Sequence, residues 1–131
     1  MPAPPFRKSL SGSFADAFRG LSYGLRTQRN LRVHAAALAG VIGAGLWLRL
    51  GSLEWCCVLL SAGLVCSVEL LNTALEAYVD HVSTEYSEHA RLAKDVSAGA
   101  VLASALTAAA VGAAVFLPRL ADWWRGFAAG G

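Results

Sequence analysis

The chain has 131 residues, of which 56% are hydrophobic and only 15% charged, and its formal net charge is +2. Soluble domains carry roughly a quarter charged residues, so a soluble globule is disfavoured. Low charge with abundant Leu, Val and Ala excludes an intrinsically disordered chain, and the small net charge argues against a nucleic-acid partner. What remains is a small integral membrane protein built as a single unit, 1–131.

The 32 residues before the first apolar run carry six basic side chains, Arg7, Lys8, Arg19, Arg26, Arg29 and Arg32. Within them Leu10, Phe14, Phe18, Leu21 and Leu25 recur at steps of four, four, three and four, which is one face of a helix. This predicts an amphipathic helix over about 9–26, lying in the membrane interface with basic flanks. A helix packed on the protein's own surface fits the same pattern. A secretory signal peptide is the rival reading of the first apolar run, but such peptides have a short basic leader, and this one is long and patterned.

The first apolar run, about 33–48, lies between Arg32 and Arg49 and contains Gly40, Gly43 and Gly45, small residues that let helices approach closely in lipid. The second, about 55–79, is apolar as far as Val68. It holds Cys56, Cys57 and Cys66, an odd number without zinc-type spacing or a nearby His, and these read as apolar side chains of a helix.

From Glu69 the second run changes character. Six of the nine acidic residues fall between Glu69 and Asp95, the others of the six being Glu76, Asp80, Glu85 and Glu88. Glu69 follows fourteen residues without a formal charge, so it sits at membrane depth, where a carboxylate is expensive and normally functional. At about 100° per residue, Asn72, Glu76 and Asp80 fall with Glu69 in a sector of about 80°. One polar stripe therefore runs down an otherwise lipid-compatible helix.

Aligned carboxylates repel and persist with a compensating cation or protons. Hard oxygen ligands with few histidines point to Mg²⁺, which takes one or two carboxylates and bridges to substrate phosphates. The Glu-x-x-His pairs of a di-iron bundle are absent from the sequence. A helix interface or a proton path is the alternative use of such a stripe.

The third run, about 96–117, is uncharged over 22 residues, long enough to cross a core of about 30 Å, and ends at Pro118. Lys94 and Asp95 stand at its entrance, where a lysine can neutralise phosphate as a point charge or simply anchor the helix end. Neither a P-loop nor a Gly-x-Gly-x-x-Gly motif is present in the sequence. With three spans, Lys and Arg divide eight against three. The positive-inside rule then puts the amino terminus and the 80–95 loop in the cytoplasm, and the Trp123–Trp124 tail outside.

The string Glu69-Leu70-Leu71-Asn72-Thr73-Ala74-Leu75-Glu76, followed by Asp80, Glu85-Tyr86 and Ala93-Lys94-Asp95, closely resembles the prokaryotic diacylglycerol kinase family. The likeness extends from about Phe14 to Pro118. Arg29-Asn30-Leu31-Arg32-Val33-His34, Glu54-Trp55 and Asn72-Thr73-Ala74 look more like its undecaprenol kinase branch than its diacylglycerol-specific one.

The resemblance implies an all-α integral membrane lipid kinase of the bacterial inner membrane, with three transmembrane helices and an amphipathic surface helix. It implies ATP as phosphate donor, Mg²⁺ as cofactor, a lipid alcohol as substrate and a homotrimer with sites at protomer contacts. It makes Glu69 the general base that meets the lipid hydroxyl, and it makes Glu76 a Mg²⁺ ligand with a partner near position 28. Asn72, Asp80, Glu85, Tyr86, Lys94 and Asp95 match positions around the nucleotide and its metals. Two departures stand out. Gln28 occupies a position where the family usually has glutamate, and Ser9 and Ala17 stand where some members use more polar or basic groups in the surface helix. The rival of another class is a non-enzymatic membrane protein or channel subunit that uses the stripe as a polar interface.

Overall fold

A computed structural model describes residues 9–83 and 85–129. Arg7 and Lys8, counted above among the basic flanks, lie outside the described residues. Four helices follow one another: α1 (Leu10–Thr27), α2 (Arg29–Trp47), α3 (Ser52–Val82) and α4 (Glu88–Ala129). Two of them, α3 and α4, are long and apolar enough to cross a membrane.

Helix α1 starts on Ser9, whose hydroxyl accepts from the Gly12 N–H and so satisfies one of the free donors of a helix start. The departure noted at Ser9 thus has a local use. Leu10, Phe14 and Phe18 are exposed, while Ala17, Gly20 and Gly24 turn towards Leu70, Thr73 and Ala77 of α3. Gly24 sets this approach: a Cβ there would stand 2.8 Å from a Leu70 methyl and 2.9 Å from a Leu31 methyl. Only a residue without a side chain admits both neighbours at their present positions.

One residue, Gln28, separates α1 from α2. Its extended backbone (φ −97°, ψ 117°) breaks the helical path, yet its N–H still closes α1 on the Gly24 carbonyl. Helix α2 ends at Trp47 in a tight turn in which Arg49 takes φ 53° and the Leu50 N–H returns to the Gly45 carbonyl. Gly45 is required there as well, since a Cβ would lie 2.6 Å from Leu50 and 2.7 Å from Trp55.

Helix α3 is the centre of the molecule, packed against α4, α2 and α1. Its buried residues are Val58, Val65, Glu69, Asn72 and Thr73, a seam of helical spacing. The polar stripe read from the sequence is thus the continuation of the apolar seam, and both face neighbouring helices. The three cysteines lie on α3 as free thiols.

Helix α4 runs 42 residues, roughly 63 Å, well past the apolar run expected to close at Pro118. Pro118 removes one backbone donor, and the helix continues past it through contacts made beyond the proline. Arg119 donates to both carboxylate oxygens of Glu54, Nε to Oε1 at 2.9 Å and Nη2 to Oε2 at 2.6 Å. Trp123 packs on Trp47 of α2 with ring centroids 5.0 Å apart and stacks on Phe127 at 5.9 Å. Glu54 also accepts from the Gly51 N–H at 2.7 Å, which ties the start of α3 to the same carboxylate.

Candidate functional site

The stripe begins at Glu69, only 2% exposed. Its backbone carbonyl accepts from the Thr73 hydroxyl at 2.9 Å, but its carboxylate oxygen Oε2 is buried and has no hydrogen-bond partner among the described residues. An unpartnered buried carboxylate is costly, because neither water nor protein replaces its hydration. Such a group is retained where a cation, a proton or a further partner compensates it.

One turn on, Asn72 is buried and held at both ends of its amide. Its Nδ2 donates to Glu76 Oε1 at 3.2 Å, and its Oδ1 accepts from the Ser97 hydroxyl of α4 at 2.5 Å. The same hydroxyl lies 3.0 Å from the Lys94 carbonyl. Further towards the α3–α4 connection, Lys94 Nζ donates to Asp80 Oδ1 at 2.8 Å. That hydrogen bond, helped by the charges of Asp80 and Glu76, holds the Lys94 ammonium above its ordinary range. Lys94 precedes the uncharged run and stands at the cavity end of the stripe.

Asp80, Glu85, Tyr86, Lys94 and Asp95 line one open cavity of about 360 Å³ between the ends of α3 and α4, with Arg91 beside them. The connection is shaped by Ser83, whose hydroxyl donates to the Glu85 carbonyl at 2.9 Å, and by Ser87, which caps α4 through the Ala90 N–H. Asp95 pairs with Arg91 at 3.2 Å on the exposed side of α4. Five of the six residues expected around the nucleotide thus share one cavity, while the sixth, Asn72, joins Glu76.

Gln28 is placed differently. It sits half-buried at the α1–α2 junction, its backbone serves both helices, and its side chain makes no cap hydrogen bond. Gly24, four residues earlier, touches α3 at Leu70, next to Glu69. Among the described residues no three His, Cys, Asp or Glu side chains gather into a metal-holding group. At the stripe Glu76 offers a single carboxylate, and Gln28 offers a neutral oxygen at the α1–α2 junction. One carboxylate is enough for an ion such as Mg²⁺, which completes its shell with water and substrate phosphates, and too little for an all-protein cage.

Sequence reasoning missed Ser97 and the Glu54–Arg119 pair. Ser97 and Ser104 are seven residues apart in a largely apolar run, which would have marked the face of α4 turned to the stripe. Pairing across 65 residues leaves no local signal.

The model of the prokaryotic diacylglycerol kinase family matches residues 15–116 of this chain. Undecaprenol kinase of Bacillus subtilis (strain 168) is 41% identical over 108 residues, covering 82% of this chain and 88% of that protein. A diacylglycerol kinase of Synechocystis sp. is 45% identical over 113 residues, 86% of this chain but 65% of that longer relative. Diacylglycerol kinase of Escherichia coli (strain K12) is 30% identical over 92 residues, 70% of this chain and 75% of the relative.

Proposed function

The chain belongs to the prokaryotic diacylglycerol kinase family and is a lipid kinase, and we propose that it transfers the γ-phosphoryl group of ATP to the hydroxyl of undecaprenol. The observation that carries the site assignment is Glu69: a carboxylate 2% exposed, with one oxygen unpartnered, at the deep end of a stripe whose other end opens on a lysine-bearing cavity. Membership of the family sets aside the reading as a channel subunit.

Glu69 acts as general base, accepting the proton of a lipid hydroxyl presented from the bilayer. Its unpartnered oxygen is the natural acceptor for that hydroxyl, which has to enter between the helices that cover Glu69. Phosphoryl transfer asks the protein mainly for alignment and charge neutralisation. Lys94 supplies a point charge to the nucleotide phosphates. Asp80 orients that lysine, and Glu85, Tyr86 and Asp95 border the nucleotide. Mg²⁺, when bound, neutralises phosphate charge and fixes the orientation of the transferring group. Glu76 holds it, Asn72 orients Glu76, and Gln28 offers a neutral oxygen in place of a second carboxylate.

The membrane placement follows the charge pattern. Three spans, about 33–48, 55–79 and 96–117, cross the bacterial inner membrane, with α1 in the cytoplasmic interface where its uncovered Leu10, Phe14 and Phe18 meet lipid. The amino terminus and the α3–α4 connection are cytoplasmic, where ATP is found. A homotrimer is the assembly, the partner copies supplying the rest of the site around Glu69 and Gln28.

Undecaprenol is favoured by the relative of that name, which this chain matches over 88% of its length, and by the stretch Arg29–His34. Diacylglycerol is the second reading, supported by the 45% identity to the Synechocystis relative. Transfer of labelled phosphate from ATP to undecaprenol and to diacylglycerol, compared in one mixed micelle, decides between them. A lack of transfer to both would overturn the proposal.

A further inference from the structure

We propose that Ser97 is a positioning residue for the Mg²⁺–ATP site, acting on Glu76 through Asn72. The inference rests on the reading of Glu76 as the metal-holding carboxylate.

The chemistry of the three groups leaves one arrangement. An ionised carboxylate only accepts hydrogen bonds, so the Asn72 amide must turn its NH₂ towards Glu76 Oε1, 3.2 Å away. Its carbonyl oxygen then faces α4, where the Ser97 hydroxyl meets it at 2.5 Å. Serine has one proton to give. The Asn72 oxygen is nearer than the Lys94 carbonyl at 3.0 Å, so the proton goes to Asn72. If Asn72 were reversed, two acceptors would confront each other at Glu76, and that repulsion fixes the amide as long as Ser97 holds its other end.

Asn72 is 9% exposed, so no water shell stands ready to take the place of Ser97. Without the hydroxyl, the amide has one tether fewer and a buried oxygen is left unpaired. Glu76 is then aimed by a looser donor. Ser97 also lies one turn beyond Lys94, so the same contact sets the register of the lysine against the stripe. The contact thus couples the carboxylate on α3 to the cation on α4, and both serve one ligand.

The test compares Ser97→Ala, Ser97→Thr, Ser104→Ala and Glu76→Gln in the full-length protein in lipid nanodiscs. Calorimetry reads the Kd of a non-hydrolysable ATP analogue with Mg²⁺, and kinetics read the KM for lipid. Ser97→Ala should raise that Kd roughly five-fold, the size of one lost buried hydrogen bond, with the lipid KM within two-fold of wild type. Ser97→Thr keeps the hydroxyl and should regain most of the affinity. Ser104→Ala removes a hydroxyl two turns away that donates only to the Val101 carbonyl, and should leave the Kd alone.

Three results overturn the inference: an unchanged Kd in Ser97→Ala, an equal loss in Ser97→Thr, or a matching rise in the lipid KM, which would mean general loosening. Glu76→Gln separates the two levels. If it weakens Mg²⁺-dependent binding while Ser97→Ala does not, only the role of Ser97 fails. If Glu76→Gln has no effect, the reading of Glu76 falls and the inference falls with it.

Discussion

Glu69→Gln separates chemistry from folding more cleanly at this position than a substitution usually does. The side chain is 2% exposed, and its Oε2 has no partner among the described residues, so removing its charge breaks no ion pair there. Gln has nearly the same volume, and the Thr73 bond to the Glu69 backbone carbonyl is untouched. The protein should therefore assemble normally, with a thermal midpoint equal to wild type or higher, since an uncompensated buried carboxylate is itself costly. Turnover is another matter. A positioned general base contributes about 10²- to 10⁴-fold, or about 3–5 kcal/mol of activation free energy. With labelled ATP and saturating lipid, kcat should fall by at least a hundred-fold while nucleotide affinity stays within two-fold. Near-normal turnover in a protein of unchanged midpoint would refute the assignment, and a collapsed midpoint would refute the claim that the carboxylate has no structural partner.

Undecaprenol should exceed diacylglycerol as acceptor in the side-by-side transfer assay, and the reverse order would move the chain to the other substrate while leaving it a lipid kinase. Gln28→Glu should lower the Mg²⁺ concentration that gives half-maximal activity, because it returns a charge to the site; an unchanged dependence would place residue 28 away from the metal. Glu54, which precedes the second apolar run, is held below its ordinary value of 4.5 first by the hydrogen bond from Arg119 and then by that from the Gly51 N–H. A depressed carboxyl stabilises the fold above its unfolded value and loses that contribution as pH falls through the folded one. Melting curves from pH 6 to about pH 3 should show a loss of stability in wild type that is smaller in Glu54→Gln, with kcat at neutral pH unaffected; parallel curves would show that the pair does not contribute.

How much of this was legible in the sequence depends on the range of the interaction. Helix α1 was placed at about 9–26 and stands at Leu10–Thr27, because its apolar residues repeat within a single helix. The end of α4 was not legible. Pro118 and Arg119 read as a stop, but Glu54 and Trp47, far away in the chain, hold the helix to Ala129. The stripe itself was found through spacing, since Glu69, Asn72, Glu76 and Asp80 share one helix. What spacing cannot tell is what a stripe faces. Here it faces α4, and the facing residues are a serine and a lysine that carry no motif together until α3 and α4 are laid side by side. Asp80 and Lys94 are fourteen positions apart and yet hydrogen-bonded, so the connection between them, not the sequence at either, determines whether the lysine reaches the stripe. The same holds for Gln28. Its substitution for a carboxylate was visible at once, but its distance from the Glu76–Asn72–Ser97 chain depends on how closely Gly24 lets α1 approach α3, and that is decided by the absence of a side chain at one position. Chemistry at this site is thus encoded locally in α3 and given its geometry by small residues elsewhere, which is why an exchange of Ser97 or Gly24 should alter how the acidic residues are presented without altering any of them.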